Sequence, residues 1–298
     1  MILANSPITL HKFNGKSFFL KRDDLLHPHF SGNKARKLMS LLATPSTDFK
    51  TLLSYGSAQS NAMYSLACLA HLKGWKFEYY VQHIPSWLKQ NPIGNYRAAL
   101  DLGMQITSMQ EQGLALHPGQ YITRIRGIKN HEFFMPEGGR ASIAELGVKK
   151  LAQELTEWIE QNNIPSCSVA LPSGTGTTAL YLQKHLTSPD IEVLTCACVA
   201  NSAYLIEQFN SLEKDHHPTI LSLQPKHHFG QLYQAEYQIW QQLSAQTQVE
   251  FDLLYDPYMW LCLAPWIEKN EEKTLIYIHQ GGLLGNESML ARYQREFG

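Results

Sequence analysis

The sequence predicts an α/β protein with mainly parallel sheet, and three observations carry that expectation. Short apolar runs of strand length recur along the 298 residues, and most are followed by a segment with helical apolar spacing. These strand–helix units are irregularly spaced, which disfavours an eightfold barrel. Glycine-rich turns cluster at only three or four strand ends, as in open sheets that bind ligands beyond the carboxyl ends of their strands. No internal repeat or low-complexity segment interrupts the pattern.

In chain order the strands are expected at 18–21, 51–54, 77–81, 105–107, 168–171, 192–198, 251–254 and 274–278. Each is an apolar run too short for a helix of ordinary length. Helices are expected at 62–72, 95–102, 143–162, 178–185, 202–213 and 231–245, where apolar residues recur at three- and four-residue spacing. A further helical pattern runs through SGNKARKLMSLL, residues 31–42, with Asn33 as its expected cap.

Hydrophobic residues make up 44% of the chain, which is ordinary for a globular protein and excludes a disordered one. A formal net charge of -1 lacks the basic excess of a nucleic-acid binder. No signal-peptide pattern opens the chain. The densest apolar stretch, 258–267, is interrupted by Pro265 and is far short of the ~20 residues of a membrane span. A soluble cytoplasmic protein that binds neither nucleic acid nor membrane is expected. The five cysteines, Cys68, Cys167, Cys196, Cys198 and Cys262, contain no CxxC pair and read as small buried hydrophobes in a reducing compartment. Cys196 and Cys198 should face the same side of a strand. The histidine pairs His216-His217 and His227-His228 read as polar loop residues, and no HExxH or finger spacing points to a metal.

Five stretches offer chemistry. LPSGTGTTAL, 171–180, takes a strand through a Ser/Gly/Thr loop into a helix. Gly174 and Gly176 expose backbone amides, Thr175, Thr177 and Thr178 add hydroxyls, and the helix dipole favours an anion, which suits a phosphate. The loop is neither a Walker A motif nor GxGxxG, and an ordinary βα turn is the alternative reading. SYGSAQSNAM, 54–63, sets Ser57, Gln59, Ser60 and Asn61 at a second helix start, more polar groups than one cap requires, as at a carboxylate site.

In the third stretch Lys34 and Lys37 project one turn apart, at the helix end where the dipole disfavours a cation. The dipole and neighbouring cations should lower the Lys34 pKa and make the amine nucleophilic, although a solvated basic face is the bland alternative. FDLLYDPYM (251–259) and IHQGGLLG (278–285) follow the last expected strands and could bring Tyr255 and Asp256 to the same cleft. One ligand satisfies these pieces together: pyridoxal 5′-phosphate, with its phosphate on the Thr/Gly loop, its aldehyde on Lys34 and its ring nitrogen against a carboxylate.

FLKRDDL and SGNKARKL, then GSAQSN, PEGGRASIAELG, SGTGTT, FDLLYD and HQGGLLG, taken in order along the chain, resemble the 1-aminocyclopropane-1-carboxylate deaminase/D-cysteine desulfhydrase family. The resemblance implies the tryptophan-synthase-β-like, fold-type II architecture: two open parallel-sheet α/β domains with pyridoxal phosphate in the cleft between them. Residues 1–38 and 141–298 would form the larger domain and 39–140 the smaller. Lys34 would be the Schiff-base lysine, Lys37 a phosphate contact and Asn61 the partner of the cofactor 3′-oxygen. Ser60 and Gln59 would hold the substrate carboxylate, while Gly174, Thr175, Gly176, Thr177 and Thr178 would cradle the phosphate. Tyr255 would be the active-site tyrosine, and Asp256 would stand where the deaminases place a glutamate against the pyridine nitrogen.

The family pattern is broken at Ala62, at Gln280 and at Asp256-Pro257, and Tyr233 is the candidate for a second active-site tyrosine. The implied activity is a lyase or deaminase acting on a small amino acid, with homodimerisation common on this scaffold. Another pyridoxal-phosphate reaction, such as a racemase or dehydratase, and a binder without turnover are the competing readings.

Overall fold

The computed structural model of the chain describes residues 3–30, 32–224 and 228–298; Ser31 and His227 of the stretches above lie outside the described residues. Its strands are β1 (Ile8–Phe13), β2 (Lys16–Lys21), β3 (Thr51–Tyr55), β4 (Lys76–Val81), β5 (Gln105–Ser108), β6 (Glu132–Met135), β7 (Cys167–Ala170), β8 (Ile191–Cys196), β9 (Thr219–Leu221) and β10 (Thr274–Ile278). They pair into a six-stranded sheet, β1-β2-β10-β7-β8-β9, and a four-stranded sheet, β5-β4-β3-β6. All pairings are parallel except the β1–β2 hairpin. Asn14 and Gly15 close that hairpin with φ of 47° and 80°, the left-handed pair a tight hairpin turn requires.

Helices cover both faces of the large sheet, and the strand sequences alternate accordingly. In β10, Leu275 and Tyr277 pack with Trp260, Leu263 and Leu243, while Ile276 and Ile278 pack with Leu151, Leu155 and Ala179. In β8, Leu194 and Cys196 face the first layer, Ile191 and Val193 the second. The small sheet is built the same way, with Leu52, Phe77 and Tyr79 against helix Asn61–Lys73 and Leu53 and Tyr80 against Ile122 on the opposite face. Burial of these side chains, at about 25 cal/mol per Å², does most to hold each layer to its sheet.

Connectivity places the two polar loops. Strand β7 runs on to β8 at one side, while its other neighbour, β10, arrives last in the chain. Strand β3 runs on to β4 at one side and has the later β6 at the other. Each is therefore a topological switch point, where the loops leaving the carboxyl ends part and open a crevice. The loops that follow β7 and β3 are Ser173–Thr178 and Gly56–Asn61 in sequence, the two expected to bind anions.

One expected strand is absent. Residues 251–254 form a turn into helix Asp256–Lys269, because side chains take the amides a sheet would have used. Asn286 Oδ1 accepts from Leu253 N–H, and Asp252 Oδ1 accepts from the N–H groups of Leu254 and Tyr255. Helix Asp256–Lys269 runs through Pro265, whose ring lies on the exposed side. The five thiols are buried and unpaired, and Cys196 Sγ and Cys198 Sγ lie 3.5 Å apart on one face of the sheet. Among the described residues no helix is long and apolar enough to cross a membrane.

Candidate active site

The short helix Gly32–Lys37 carries all three basic residues of the opening stretch, and none of them forms the solvated face of the bland alternative. Arg36 is 0% exposed and Lys37 is 3% exposed. Arg36 sits in a buried ionic cluster. It donates to both oxygens of Asp23 at 2.9 and 2.7 Å and to both oxygens of Glu154 at 2.7 and 2.8 Å. Lys21 Nζ donates to Glu154 Oε2 at 2.7 Å, and Ser6 Oγ donates to Asp23 Oδ1 at 2.6 Å. Two cations and two anions, nearly every polar atom satisfied, clamp the short helix to the end of β2 and to helix Glu145–Gln161.

With Arg36 anchored, Lys34 and Lys37 project from the helix toward the crevice. Asn33 does not cap the helix: it lies inside it, donates to Gln280 Oε1 at 2.5 Å and accepts from Lys34 Nζ at 3.1 Å. Gln280 also accepts Asn33 N–H at its carbonyl and donates to Pro172 O, so it ties the lysine helix to the residue before the Thr/Gly loop. Gly32 has a φ of +67°, and a Cβ there would overlap the Gln280 carbonyl at 1.6 Å, so only glycine permits this closure.

Lys34 has its pKa lowered to about 8 by burial, with Asp252 acting in the opposite direction. The direction is the one expected from the sequence, but burial rather than the helix dipole or neighbouring cations is the main cause. Lys37 is pushed well below its ordinary value by burial and by Lys34. It donates to Gly138 O at 2.6 Å, and a Cβ added to Gly138 would lie 2.8 Å from Thr175 Cγ2. Lys37 therefore reaches beneath the turn that lies on the Thr/Gly loop.

That loop enters helix Thr177–His185 through Gly176, whose φ is +71° and where a Cβ would meet the Phe209 ring at 2.4 Å. Thr175 and Thr177 hydroxyls lie 3.2 Å apart, and Thr178 Oγ1 is buried with no hydrogen-bond partner among the described residues. An unpartnered buried hydroxyl, a helix start and a buried ammonium together suit an oxygen-rich anion such as a phosphate.

The loop after β3 supplies the facing wall. Ser60 caps helix Asn61–Lys73, its Oγ accepting from Ala62 N–H at 3.1 Å. Gln59 accepts from Asn95 at its carbonyl. Asn61 accepts from Asn95 Nδ2 at 2.6 Å and donates to Asp252 Oδ2 at 3.3 Å. No sequence pattern singles out Asp252, yet burial lifts it to about 6 beside Asn61 and Lys34. Its one legible signal is position, four residues before Asp256 on the expected strand end.

Asp256 is 2% exposed at the start of its helix. Its Oδ2 accepts Asp252 N–H at 2.9 Å and its Oδ1 accepts Tyr277 O–H at 2.6 Å. Burial, then the Asp252 charge, raises it to about 8. Tyr255 lies against the Thr/Gly loop, 3.6 Å from a Cβ built on Gly174, and burial keeps its phenol protonated. Tyr233 stands just before helix Gln234–Thr247 and accepts from His228 N–H. Another phenol near Tyr255 is that of Tyr204, which in turn lies near Tyr55, and no sequence motif marks either. His279 is held neutral by burial, Nδ1 accepting from Gly281 N–H and Nε2 facing the Glu250 carbonyl.

No family model matches the chain. A D-cysteine desulfhydrase from Serratia proteamaculans (strain 568) is 28% identical over 215 residues, covering 69% of this chain and 63% of that protein. The chain thus aligns with under two thirds of that relative's length. Among solved structures, an ACC deaminase homologue superposes with a TM-score of 0.77 at 18% identity, over 99% of this chain and 95% of the other. A threonine deaminase from T.th. superposes with a TM-score of 0.68 at 16% identity, over 93% of this chain and 92% of the other. The motifs and the architecture lead to one placement: the chain is a relative of the D-cysteine desulfhydrases and has the fold-type II architecture.

Proposed function

We propose that this protein is a pyridoxal 5′-phosphate-dependent lyase or deaminase acting on a small amino acid through Lys34. The observation that carries the reading is one helix turn: it sets a buried amine of lowered pKa at the crevice and, three residues on, Lys37 beneath the Thr/Gly loop. In this reading residues 174–178 and Lys37 hold the phosphate, Asn61 the 3′-oxygen, and Asp256 the ring nitrogen. When bound, the cofactor supplies the electron sink for a carbanion at the substrate Cα. Asp256, whose carboxyl pKa burial raises, would be the residue to hold a cationic ring nitrogen, because the charge that burial opposes would then have a partner.

The residues of this chain supply the rest. With a pKa of about 8, about a tenth of Lys34 is neutral at pH 7, enough to condense with a carbonyl and then to move a proton at Cα. Ser60 and Gln59 orient the substrate carboxylate at the start of helix Asn61–Lys73. Tyr255, kept protonated, donates a proton or hydrogen bond near the leaving group rather than acting as a nucleophile. The reading takes 39–140 as the smaller domain and the remainder as the larger. The five unpaired thiols favour a reducing cytoplasmic setting.

The test is the visible absorbance of purified protein supplied with pyridoxal phosphate. A band that is absent in Lys34→Ala, and a single borohydride-fixed adduct mapping to Lys34, are expected. A wild type that stays colourless refutes the reading. Release of 2-oxobutyrate from the cyclopropane amino acid, or of sulfide and pyruvate from D-cysteine, then assigns the reaction.

A further inference from the structure

A chain of hydrogen bonds runs from the loop after β3 to the turn before helix Asp256–Lys269, with the Asn61 side chain at its middle. The residues on either side of Asn61, Asn95 and Asp252, have no role in the reading above. Asn95 Nδ2 donates to Gln59 O at 3.1 Å and to Asn61 Oδ1 at 2.6 Å. Asn61 Nδ2 donates in turn to Asp252 Oδ2 at 3.3 Å. The other oxygen of Asp252, Oδ1, accepts the N–H groups of Leu254 and Tyr255 at 2.8 and 2.9 Å. Asn95 and Asp252 are both buried.

Both ends of this chain rest on backbone groups, which cannot exchange donor for acceptor. The Gln59 carbonyl only accepts, so Asn95 must face it with its NH2, and that NH2 then requires an oxygen from Asn61. The Leu254 and Tyr255 N–H groups only donate, so Asp252 meets them as a carboxylate, and an ionised carboxylate only accepts. Asn61 therefore turns its NH2 to Asp252, and its amide has one orientation rather than two. The frame around it is fixed. Gly94 N–H donates to Glu287 Oε2 at 3.0 Å, which seats the start of helix Gly94–Asp101 and hence Asn95. A Cβ on Gly282, whose φ is +87°, would lie 2.4 Å from Asn61 Nδ2 and 3.3 Å from Asp252 Oδ2. Glycine there leaves room beside the Asn61 NH2. Asp252 takes one of its two N–H groups, and the other has no acceptor among the described residues.

We propose that Asn95 and Asp252 are positioning residues that lock the Asn61 side chain as a hydrogen-bond donor to the cofactor 3′-oxygen, so that this oxygen is held in its anionic form. The proposal rests on the functional reading above and deepens it. A donor favours the charged form of the oxygen it meets, whereas an amide turned over would bring its own oxygen against that charge.

Fluorescence titration with pyridoxal phosphate and with its analogue lacking the 3′-oxygen tests it. The wild type should bind pyridoxal phosphate about 10- to 100-fold more tightly than the analogue, the range for a hydrogen bond to a charged group. Asp252→Asn keeps an oxygen on the Leu254 and Tyr255 N–H groups and so sets an NH2 against that of Asn61. Asn95→Leu removes the donor to Asn61 Oδ1. Each should narrow the ratio about 10-fold and move the absorbance of bound cofactor from the visible to the near ultraviolet, since the visible band belongs to the anionic oxygen. The paired variant Asn61→Asp with Asp252→Asn keeps every hydrogen bond of the chain but leaves no donor at position 61. It should recover the melting temperature that Asp252→Asn loses while the ratio stays narrowed, an outcome that a merely structural role does not give. If a single variant fails to fold, the paired variant decides. Equal binding of the two compounds by wild type, a wild-type ratio in both single variants, or recovery of the ratio in the paired variant overturns the proposal. A wild type that takes up neither compound overturns the reading beneath it instead.

Discussion

Replacing Arg36 with Met removes one charge from a buried tetrad and leaves the Asp23 carboxylate without its cation. The guanidinium makes four hydrogen bonds to carboxylates, to Asp23 at 2.9 and 2.7 Å and to Glu154 at 2.7 and 2.8 Å, and one to Leu3 O at 3.4 Å. Lys21 remains on Glu154, but among the described residues the Asp23 carboxylate keeps only the Ser6 hydroxyl. Breaking a buried pair from one side costs about 3–5 kcal/mol, because the remaining charge is desolvated without compensation. At about 2 °C per kcal/mol for a domain of this size, the melting temperature should fall by ~6–10 °C at pH 7. Arg36→Lys, which keeps the charge but loses the fork, should fall between.

The pH dependence checks the cause. Burial alone would raise Glu154, and hydrogen bonds and charge from Arg36 do most to bring it down to about 2. A folded value below the unfolded one stabilises above the unfolded pKa of 4.5 and loses that stability as pH falls toward 2. Without Arg36 burial prevails, and the folded value rises toward or above the unfolded one. The gap between wild type and Arg36→Met should therefore narrow by about 3 kcal/mol between pH 6 and pH 2, measured by urea unfolding on both proteins. A loss below about 1 kcal/mol at pH 7, or a gap that stays constant with pH, refutes the claim that this cluster anchors the lysine helix.

Thr178→Val should act in opposite directions on fold and cofactor. Removing an unpartnered buried hydroxyl leaves melting unchanged or raises it slightly, while pyridoxal phosphate affinity by fluorescence titration falls about 10-fold; unchanged affinity would remove Thr178 from the cradle. The rate of Lys34 arylation by trinitrobenzenesulfonate in cofactor-free protein should rise with pH to a midpoint near 8, and a midpoint above 10 contradicts the burial account. Because the folded value lies below the unfolded 10.5, the Lys34 contribution to stability improves as pH rises through 8. Asp256→Asn should keep the visible band yet lower kcat by more than 10-fold, and near-normal turnover excludes it from the ring-nitrogen role.

Sequence alone determined what depends on neighbours within one turn or one strand. Alternating apolar runs marked most strands, since a residue two positions on must face the same layer. Two glycine-and-hydroxyl loops leading into helices marked the two loops proposed to bind anions, and the spacing of Lys34 and Lys37 put them on one side of one helix. Strand β1 escaped this kind of reading, because only its pairing with β2 across Asn14-Gly15 makes it a strand.

Only the tertiary structure decided the rest, because the deciding partners are remote. Arg36 becomes an anchor through Glu154, 118 positions away in the chain, and no local pattern shows that pairing. Residues 251–254 have a strand-like composition, but a strand needs a neighbour to take its amides, and Asp252 and Asn286 take them first. The pKa of Lys34 in SGNKARKL is lowered for the same kind of reason. A helix end lowers such a pKa only slightly, whereas burial in the folded chain, which no single segment encodes, brings it down to about 8.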